Sequence, residues 1–318
     1  MKKIFSTATI IALSALTIFS SCKKKDDEST VTPIYPESTV ALNEVTGKTS
    51  GRDSLFVKRD KTSAIIQVSA TSKTTTDMKR IYVFKKSTFT TAAGAYETYK
   101  DASFKKDGND NYYYDIPTNE RNNTVLSLVV NLNANNTSII SDEYYFSFTD
   151  GTNFDFPTST SGSLVGPAQI FIVYGMLNET IGYRLNNIQG PNSGSFDLVT
   201  LMNKSATDAA TGKDLSDMDA NTATWDKSFS AGTSGTLYAR ISGSFDYKNA
   251  TDITIKNAYD DALLPSGTQT NVATGNIYVA KLRGLEKYAL IKVTFISDEN
   301  GQTGAGNNLE YMEFSVKK

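Results

Sequence analysis

The sequence predicts an all-β protein made of two β-sandwich domains, with one short helix in the second domain. The 318 residues include 17 Tyr and 16 Phe but only 7 Pro, and aromatic and β-branched residues favour strands. Short runs in which apolar and polar residues alternate, separated by polar turns, recur along the chain. The length corresponds to about two domains, each able to bury its own core.

The first domain, residues 38–150, contains the clearest alternation. Apolar residues largely alternate with polar ones between Ile65 and Val83, as expected for strands with one buried face. Seven short strands in about 110 residues resemble a sandwich of the immunoglobulin or fibronectin type III kind. The predicted strands are 40–45, 54–58, 64–70, 79–85, 112–116, 124–132 and 143–148.

Residues 151–168 are rich in Gly, Ser, Thr and Pro, and we interpret them as a linker. The second domain then spans residues 169–318, with a long polar stretch at 203–224. The segment 251–263 fits either a strand or a helix that Thr251 would cap, and we predict a short helix there. The predicted strands of this domain are 169–174, 180–185, 196–202, 225–230, 236–242, 277–282, 288–296 and 309–316.

The amino terminus has the three parts of a secretory signal. Lys2 and Lys3 precede an apolar run, and small residues follow it. The run covers about sixteen residues, which is short of the roughly twenty that span a bilayer. The motif Phe19-Ser20-Ser21-Cys22, which holds the only Cys, resembles the lipobox of bacterial lipoproteins. This resemblance implies that residues 1–21 are removed and that Cys22 is lipidated. The residues that follow are polar and include Pro33 and Pro36, so we predict that residues 22–37 form a flexible tether to the membrane.

The charged run from Lys23 to Ser29 directly follows that cysteine. It resembles the export signal that lipoproteins of the Bacteroidota carry at this position, which implies an outer-membrane protein exposed at the cell surface. The alternatives are a solvated spacer, as most charge blocks are, and retention in the inner leaflet of the outer membrane.

Composition excludes several kinds of activity. The chain has no His, so it cannot form a Ser-His-Asp triad, a Cys-His dyad or a His-ligated zinc site. It carries 32 Lys and Arg against 34 Asp and Glu, and without a basic stripe a nucleic-acid partner is not expected. Catalysis would have to use carboxylates, Lys or Tyr.

One acidic loop in the second domain is a candidate calcium site. Asp217, Asp219 and Asn221 have the first three spacings of an EF-hand loop, and Asp214 precedes them. The sixth and twelfth positions are Thr and Ser, so the loop is not an EF-hand. A looser structural calcium site and a solvated polar loop both remain open, and we predict no other cofactor.

Two short elements of the second domain resemble parts of secreted haem-binding lipoproteins of the Bacteroidota. These are Phe196-Asp197-Leu198 and the segment from Trp225 to Phe229. Haem would need axial ligands, and only Met or Tyr is available here. The other interpretation, which we prefer, is that Trp225 and Phe229 anchor the core.

Two tyrosine-rich strands of the first domain are candidates for ligand binding. Neighbouring residues of a strand point to opposite faces, so one face of each strand packs and the other could form an aromatic platform for sugars or a protein. The platform residues would be Tyr112, Tyr113, Tyr114, Tyr144 and Tyr145.

Asp53-Ser54-Leu55 is similar to the O-glycosylation motif of exported Bacteroidota proteins. The resemblance implies modification of Ser54.

We therefore predict a lipid-anchored, non-enzymatic binding or scaffold protein of the outer membrane. A haem or metal acquisition protein, a carboxylate-dependent glycan hydrolase and a purely architectural envelope protein are the alternatives.

Overall fold

The computed structural model describes residues 37–42, 45–49, 52–71, 77–149, 168–218, 226–297 and 308–318. Side chains are described for 54–70, 77–149, 169–218, 226–297 and 308–318. The predicted signal peptide, Cys22 and nearly all of the tether and linker lie outside these ranges. Residues Tyr35–Lys318 form one compact unit, and the division of this unit into two domains stays a prediction.

Within the described ranges the protein is all-β, as predicted, with four sheets and one α-helix. Alternation such as that of residues 123–131 gives each strand one apolar face that must pack against a second sheet. The first half of the chain contributes ten strands: β1 Glu37–Leu42, β2 Val45–Thr49, β3 Arg52–Val57, β4 Ser63–Thr71, β5 Arg80–Phe89, β6 Glu97–Thr98, β7 Lys105–Lys106, β8 Tyr112–Asp115, β9 Asn123–Asn131 and β10 Ile139–Thr149.

The second half of the chain contributes eleven strands and the helix. The strands are β11 Ala168–Tyr174, β12 Glu179–Asn186, β13 Ser195–Asp197, β14 Met202–Lys204, β15 Leu215–Asp217, β16 Phe229–Ser230, β17 Leu237–Ile241, β18 Thr268–Gln269, β19 Ile277–Lys281, β20 Tyr288–Ser297 and β21 Tyr311–Lys317. The helix, α1, spans Asp252–Asp260.

Two sheets enclose the first core. One has the order β2-β1-β4-β9, and the other has the order β3-β11-β10-β5-β8-β7 with β6 paired to β5. Buried residues of β4 and β9, such as Val68 and Leu128, pack with residues of β5, β10 and β11, such as Val83, Phe146 and Ile172.

Strand β11 belongs to this first pair of sheets, although sequence reasoning placed residues 169–174 at the start of the second domain. It pairs in parallel with β3 and antiparallel with β10.

The other two sheets have the orders β12-β21-β20-β19-β17 and β14-β13-β15-β16-β18. Their shared core joins Phe196, Leu215 and Phe229 of the second sheet to Tyr278 and Phe314 of the first. The predicted strand at 196–202 is instead two strands, β13 and β14, which pair with each other around a turn. Leu201 occupies the left-handed region there, with φ 57°.

The helix predicted at 251–263 is confirmed as α1. Thr251 caps it through a capping box in which the Thr251 hydroxyl accepts from the Thr254 N–H and Thr254 Oγ1 accepts from the Thr251 N–H. Ile255 and Tyr259 are the buried residues of the helix, and they pack on the outer face of the sheet that contains β17, β19 and β20.

The two pairs of sheets meet at a polar joint. Arg59 bonds both carboxylate oxygens of Asp252 in α1, from Nε at 2.9 Å and from Nη2 at 3.2 Å. Its Nη1 donates to the carbonyls of Ala134, Asn136 and Ile139. One guanidinium therefore links the first pair of sheets to the helix of the second.

Candidate ligand-binding face

A cluster of aromatic side chains lies on the outer face of the seven-stranded sheet. Period two along β5 turns Ile81 and Val83 into the core and turns Tyr82 and Phe84 outward. We call the outward set the outer tyrosine cluster; it comprises Tyr82, Phe84, Tyr113 and Tyr145, with the partly buried Tyr96 packed against them.

Polar groups converge at one side of this cluster. The Tyr96 hydroxyl donates to Glu143 Oε2 at 3.0 Å and lies 2.8 Å from the Tyr145 hydroxyl. Gln169 Nε2 donates to the Tyr145 hydroxyl at 2.6 Å. Lys86 Nζ lies 2.9 Å from Glu143 Oε2 and 4.5 Å from the centre of the Tyr96 ring. These five side chains come from β5, β10, β11 and the segment between β5 and β6, so the fold itself holds the group together.

The two hydroxyls of this group are neutral near pH 7. Burial is the main reason that the pKa of Tyr96 rises to about 12. Burial also raises the pKa of Tyr145, with a further contribution from its hydrogen bond to Tyr96. Both phenols therefore act as hydrogen-bond donors and acceptors, beside one ammonium and one carboxylate.

The five tyrosines predicted to form a platform do not share one face. Tyr113 and Tyr145 belong to the outer tyrosine cluster, whereas Tyr144 is buried in the opposite core and Tyr114 packs against that core. Tyr112 is partly buried, with Lys100 and Lys106 over its ring.

Sequence reasoning missed Tyr82 and Tyr96 as members of the cluster. Tyr82 could have been found from the alternation of β5. Tyr96 lies between strands, where no periodicity marks it.

A second polar group lies between the sheets of the second half. The buried Asp214 accepts from Arg283 Nε at 3.1 Å and Nη2 at 2.8 Å, and also from Leu198 N and Thr236 Oγ1. The same Nη2 bonds Asp197 Oδ1 at 2.7 Å. We call Asp197, Asp214 and Arg283 the arginine-carboxylate cluster.

The two carboxylates of the arginine-carboxylate cluster lie close together, but Asp197 lacks the raised pKa of a general acid. The bonded oxygens of Asp197 and Asp214 share one nitrogen, so they lie no more than about 5.5 Å apart, a limit that includes the separation in retaining glycosidases. Such enzymes need one carboxylic acid with a raised pKa. Burial acts to raise the pKa of Asp197, but the N–H groups of Thr200 and Val199 and the Arg283 charge outweigh it and hold that pKa below its usual range.

The residues of the calcium prediction are only partly described. The Asp214 carboxylate accepts hydrogen bonds from Arg283. The Asp217 carboxylate accepts a hydrogen bond from Ile188 N at 2.9 Å. Asp219 and Asn221 lie outside the described residues. Within the described ranges, no three His, Cys, Asp or Glu side chains form a group that could hold a metal ion, and calcium binding stays a prediction.

The segments that resemble haem-binding lipoproteins contribute mainly core residues in the part of the chain that the structure describes. Phe196, Leu198 and Phe229 are buried in the second core, and Asp197 belongs to the arginine-carboxylate cluster. Trp225 lies outside the described residues.

The two predicted modification sites differ in what the structure describes. Ser54 is exposed in β3, which lies at an edge of its sheet. Its glycosylation stays a prediction, and Cys22 lies outside the described residues.

Comparison with known proteins gives little further information. No protein-family profile matches the chain, and no curated protein does. A DUF4466 family protein from Parabacteroides merdae is similar in structure, with a TM-score of 0.33 and 10% identity over 90% of this chain and 99% of that one. A bacterial adhesin from Mobiluncus mulieris with intramolecular disulfide, isopeptide and ester cross-links has a TM-score of 0.22 and 11% identity over 87% and 91%. Likenesses this distant have no bearing on function.

Proposed function

We propose that this chain is a lipid-anchored, non-enzymatic binding protein of the outer membrane, exposed at the cell surface. The lipobox-like motif that ends at Cys22 and the charged run from Lys23 to Ser29 support the anchor and the address. No helix in the described ranges is long and apolar enough to cross a membrane.

The observation that carries the binding role is the polar side of the outer tyrosine cluster. Phenol, amide, carboxylate and ammonium groups from Tyr96, Gln169, Glu143 and Lys86 meet beside an aromatic ring. Binding sites typically combine apolar and aromatic walls with a few convergent polar groups. Because a sugar ring presents hydroxyls at its rim and C–H groups on its faces, this combination fits a glycan.

A protein partner is the alternative ligand for this face. The glycan is favoured because the exposed part of the cluster is small and polar: the Glu143 and Lys86 side chains are 13% and 19% exposed. Protein interfaces usually need a wider contact, about 800 Å² on each partner.

The non-enzymatic part of the proposal rests on the arginine-carboxylate cluster. Arg283 pairs with both carboxylates, and together with backbone N–H groups it outweighs burial and lowers the pKa of Asp197, which suits an ion pair better than a general acid. Haem binding has less support, because the described side chains behind that resemblance fill the core.

The binding proposal is tested on a glycan array and then by calorimetry, with the full chain carrying Cys22→Ser so that no lipid interferes. Tyr96→Ala should weaken the binding of any glycan found by about tenfold, or 1.4 kcal/mol. A matched control exists in the other half of the chain, where Tyr288 donates to Glu286 at 2.9 Å and Lys281 lies 5.9 Å from its ring. Tyr288→Ala should leave the affinity unchanged. An array without a ligand, or equal losses in both variants, would contradict the proposal.

A further inference from the structure

Strand β9 is an edge strand without the usual protection of edge strands. Its nine residues, Asn123–Asn131, lie at the end of the sheet ordered β2-β1-β4-β9, and among the described strands β9 pairs only with β4. Proteins guard long edge strands with charges, prolines, bulges or short length, because an open edge recruits another strand. The sequence of β9, NTVLSLVVN, contains no charge and no proline, and its nine positions pair with β4 without a break in register.

Other edges of the described sheets do have such protection. Strand β7 is only two residues long, and both are Lys. Strand β12 carries charged residues and a register shift between Thr180 and Tyr183. Among the described strands, the edge of β9 therefore differs from those of β7 and β12.

The outward face of β9 is apolar at two positions. Val125 is 52% exposed and Val129 is 60% exposed, while Leu126, Leu128 and Val130 on the other face are buried. On the neighbouring strand Ile65 lies opposite Val129 and Ser69 lies opposite Val125. The two exposed valines thus lie on the edge strand itself, where the side chains of a further strand could pack beside them.

The outward residues of β9 also have a symmetry that identifies the partner. Read in order they are Asn123, Val125, Ser127, Val129 and Asn131, a series that is the same in both directions about Ser127. In an antiparallel pair of identical strands centred on Ser127, each Val125 lies opposite a Val129 and Ser127 lies opposite itself. A two-fold interface brings the same surface of two subunits together, and such a palindrome is self-complementary in that arrangement.

From these observations we propose that β9 is a self-association surface, at which two copies of this chain pair edge to edge, antiparallel and in register on Ser127. The pairing joins two four-stranded sheets into one eight-stranded sheet. Directly opposed side chains in such a ladder have Cβ atoms about 4.5–5.5 Å apart, so the two Val125–Val129 pairs cover each other. Since no charge lies in β9, no like charges oppose one another across the two-fold axis.

The register makes the proposal testable by cross-linking. Cys22 is the only cysteine, so the full chain with Cys22→Ser is free of thiols. Adding Ser127→Cys places two thiols opposite each other, within the Cα separation of 4.4–6.8 Å that disulfides require. Adding Val129→Cys instead places the two thiols four residues apart along the strand, about 14 Å, too far to bond.

Under mild oxidation the Ser127→Cys chain should form at least about ten times more disulfide dimer than the Val129→Cys chain. A mixture of Val125→Cys and Val129→Cys chains should cross-link, whereas each of these alone should not. Equal cross-linking of the single variants would reflect random collision and would overturn the proposal. Circular dichroism of each variant shows whether it is folded.

Sedimentation of the chain with Cys22→Ser and no added thiol gives a second test that does not depend on the cysteine variants. The sedimentation coefficient should rise with concentration from the micromolar to the near-millimolar range, because an interface of one strand is small and weak. Ser127→Lys should abolish the rise by placing two ammonium groups opposite each other. Gln67→Lys is the matched control, since Gln67 is exposed directly opposite Ser127 on the inner neighbour β4, and it should leave the rise intact. A monomer at every concentration would overturn the proposal.

Discussion

Removal of the charge at Arg283 should destabilise the protein more than any change at a surface ion pair. Arg283→Met keeps most of the apolar stem but removes the guanidinium, which makes two bonds to the fully buried Asp214 and one to Asp197. The side chains of these aspartates are 0% and 5% exposed, so water solvates the two carboxylates poorly once the cation is gone.

The expected loss in the free energy of unfolding follows from the burial of these three side chains. Breaking a buried ion pair by removing one partner costs about 3–5 kcal/mol. The lower end of that range applies here, because the Arg283 side chain is 28% exposed and Asp214 keeps its bonds from Leu198 N and Thr236 Oγ1. The left-handed backbone at Arg283, with φ 54°, adds nothing, since Met and Arg bear the same strain there.

Urea denaturation measures this change as a shift of the unfolding midpoint at constant slope. Arg184→Met is the control: Arg184 Nε lies 3.4 Å from Glu313 with side chains 53% and 31% exposed, and such pairs contribute less than about 1 kcal/mol. Adding Asp214→Asn to Arg283→Met should recover part of the loss, because the buried charge is then gone as well. A loss below about 1 kcal/mol in Arg283→Met would show that the two buried carboxylates do not depend on this cation.

The same cluster sets a pH dependence. The pKa of Asp197 is lowered in the folded protein from its ordinary value of 3.8. This carboxylate therefore stabilises the fold above that value, and the contribution is lost as the pH falls through the lower folded pKa. Arg283→Met, which lacks the nearby charge, should lose less stability than the unmodified chain over this acidic range.

Three further changes test the helix, the joint and a buried carboxylate. Thr251→Ala removes the cap of α1 and should cost about 0.5–2 kcal/mol in urea denaturation. Gly175→Ala should cost more than Gly182→Ala: both glycines have positive φ, at 85° and 82°, but only at Gly175 would a Cβ lie 2.1 Å from an oxygen of Asp252. Glu310→Gln should raise the thermal midpoint, because an amide costs less to bury than a carboxylate. Glu310 is fully buried, its Oε1 accepts no hydrogen bond from the described residues, and its Oε2 accepts one long bond from Asn187 Nδ2 at 3.4 Å.

Each of these has an outcome that contradicts it. No loss in Thr251→Ala would mean that the capping box contributes nothing. Equal losses in the two glycine variants would mean that Asp252 moves away from the joint at no cost. A lower midpoint in Glu310→Gln would show that the carboxylate is stabilised by its partners, of which Asn187 Nδ2 is one.

The strands that alternate over many residues were predictable from the sequence. Strand β9 was predicted at 124–132 and found at Asn123–Asn131, because its inward and outward residues are strictly separated. The helix was predictable from Thr251 and the spacing of Ile255 and Tyr259. Strands β15 and β18 were missed because they span only three and two residues inside polar segments, too few for a period to appear.

The sequence did not predict which strands pair with each other or which charged side chains meet. The apolar run at 169–174 was recognised as a strand, but nothing in it indicates that it pairs in parallel with β3, more than a hundred residues earlier. The ion pair of Arg283 with Asp214 joins residues 69 positions apart. Neither residue stands out from the other charges of the chain, and only the folded backbone brings them together.

Lipidation of Cys22 and exposure at the cell surface are measured directly in the native cell. We predict that a labelled fatty acid is incorporated at Cys22, that Cys22→Ser abolishes the label and moves the protein out of the membrane fraction, and that protease added to intact cells digests the unmodified protein. An unlabelled chain, a Cys22→Ser variant that stays in the membrane fraction, or a chain that intact cells protect would contradict it.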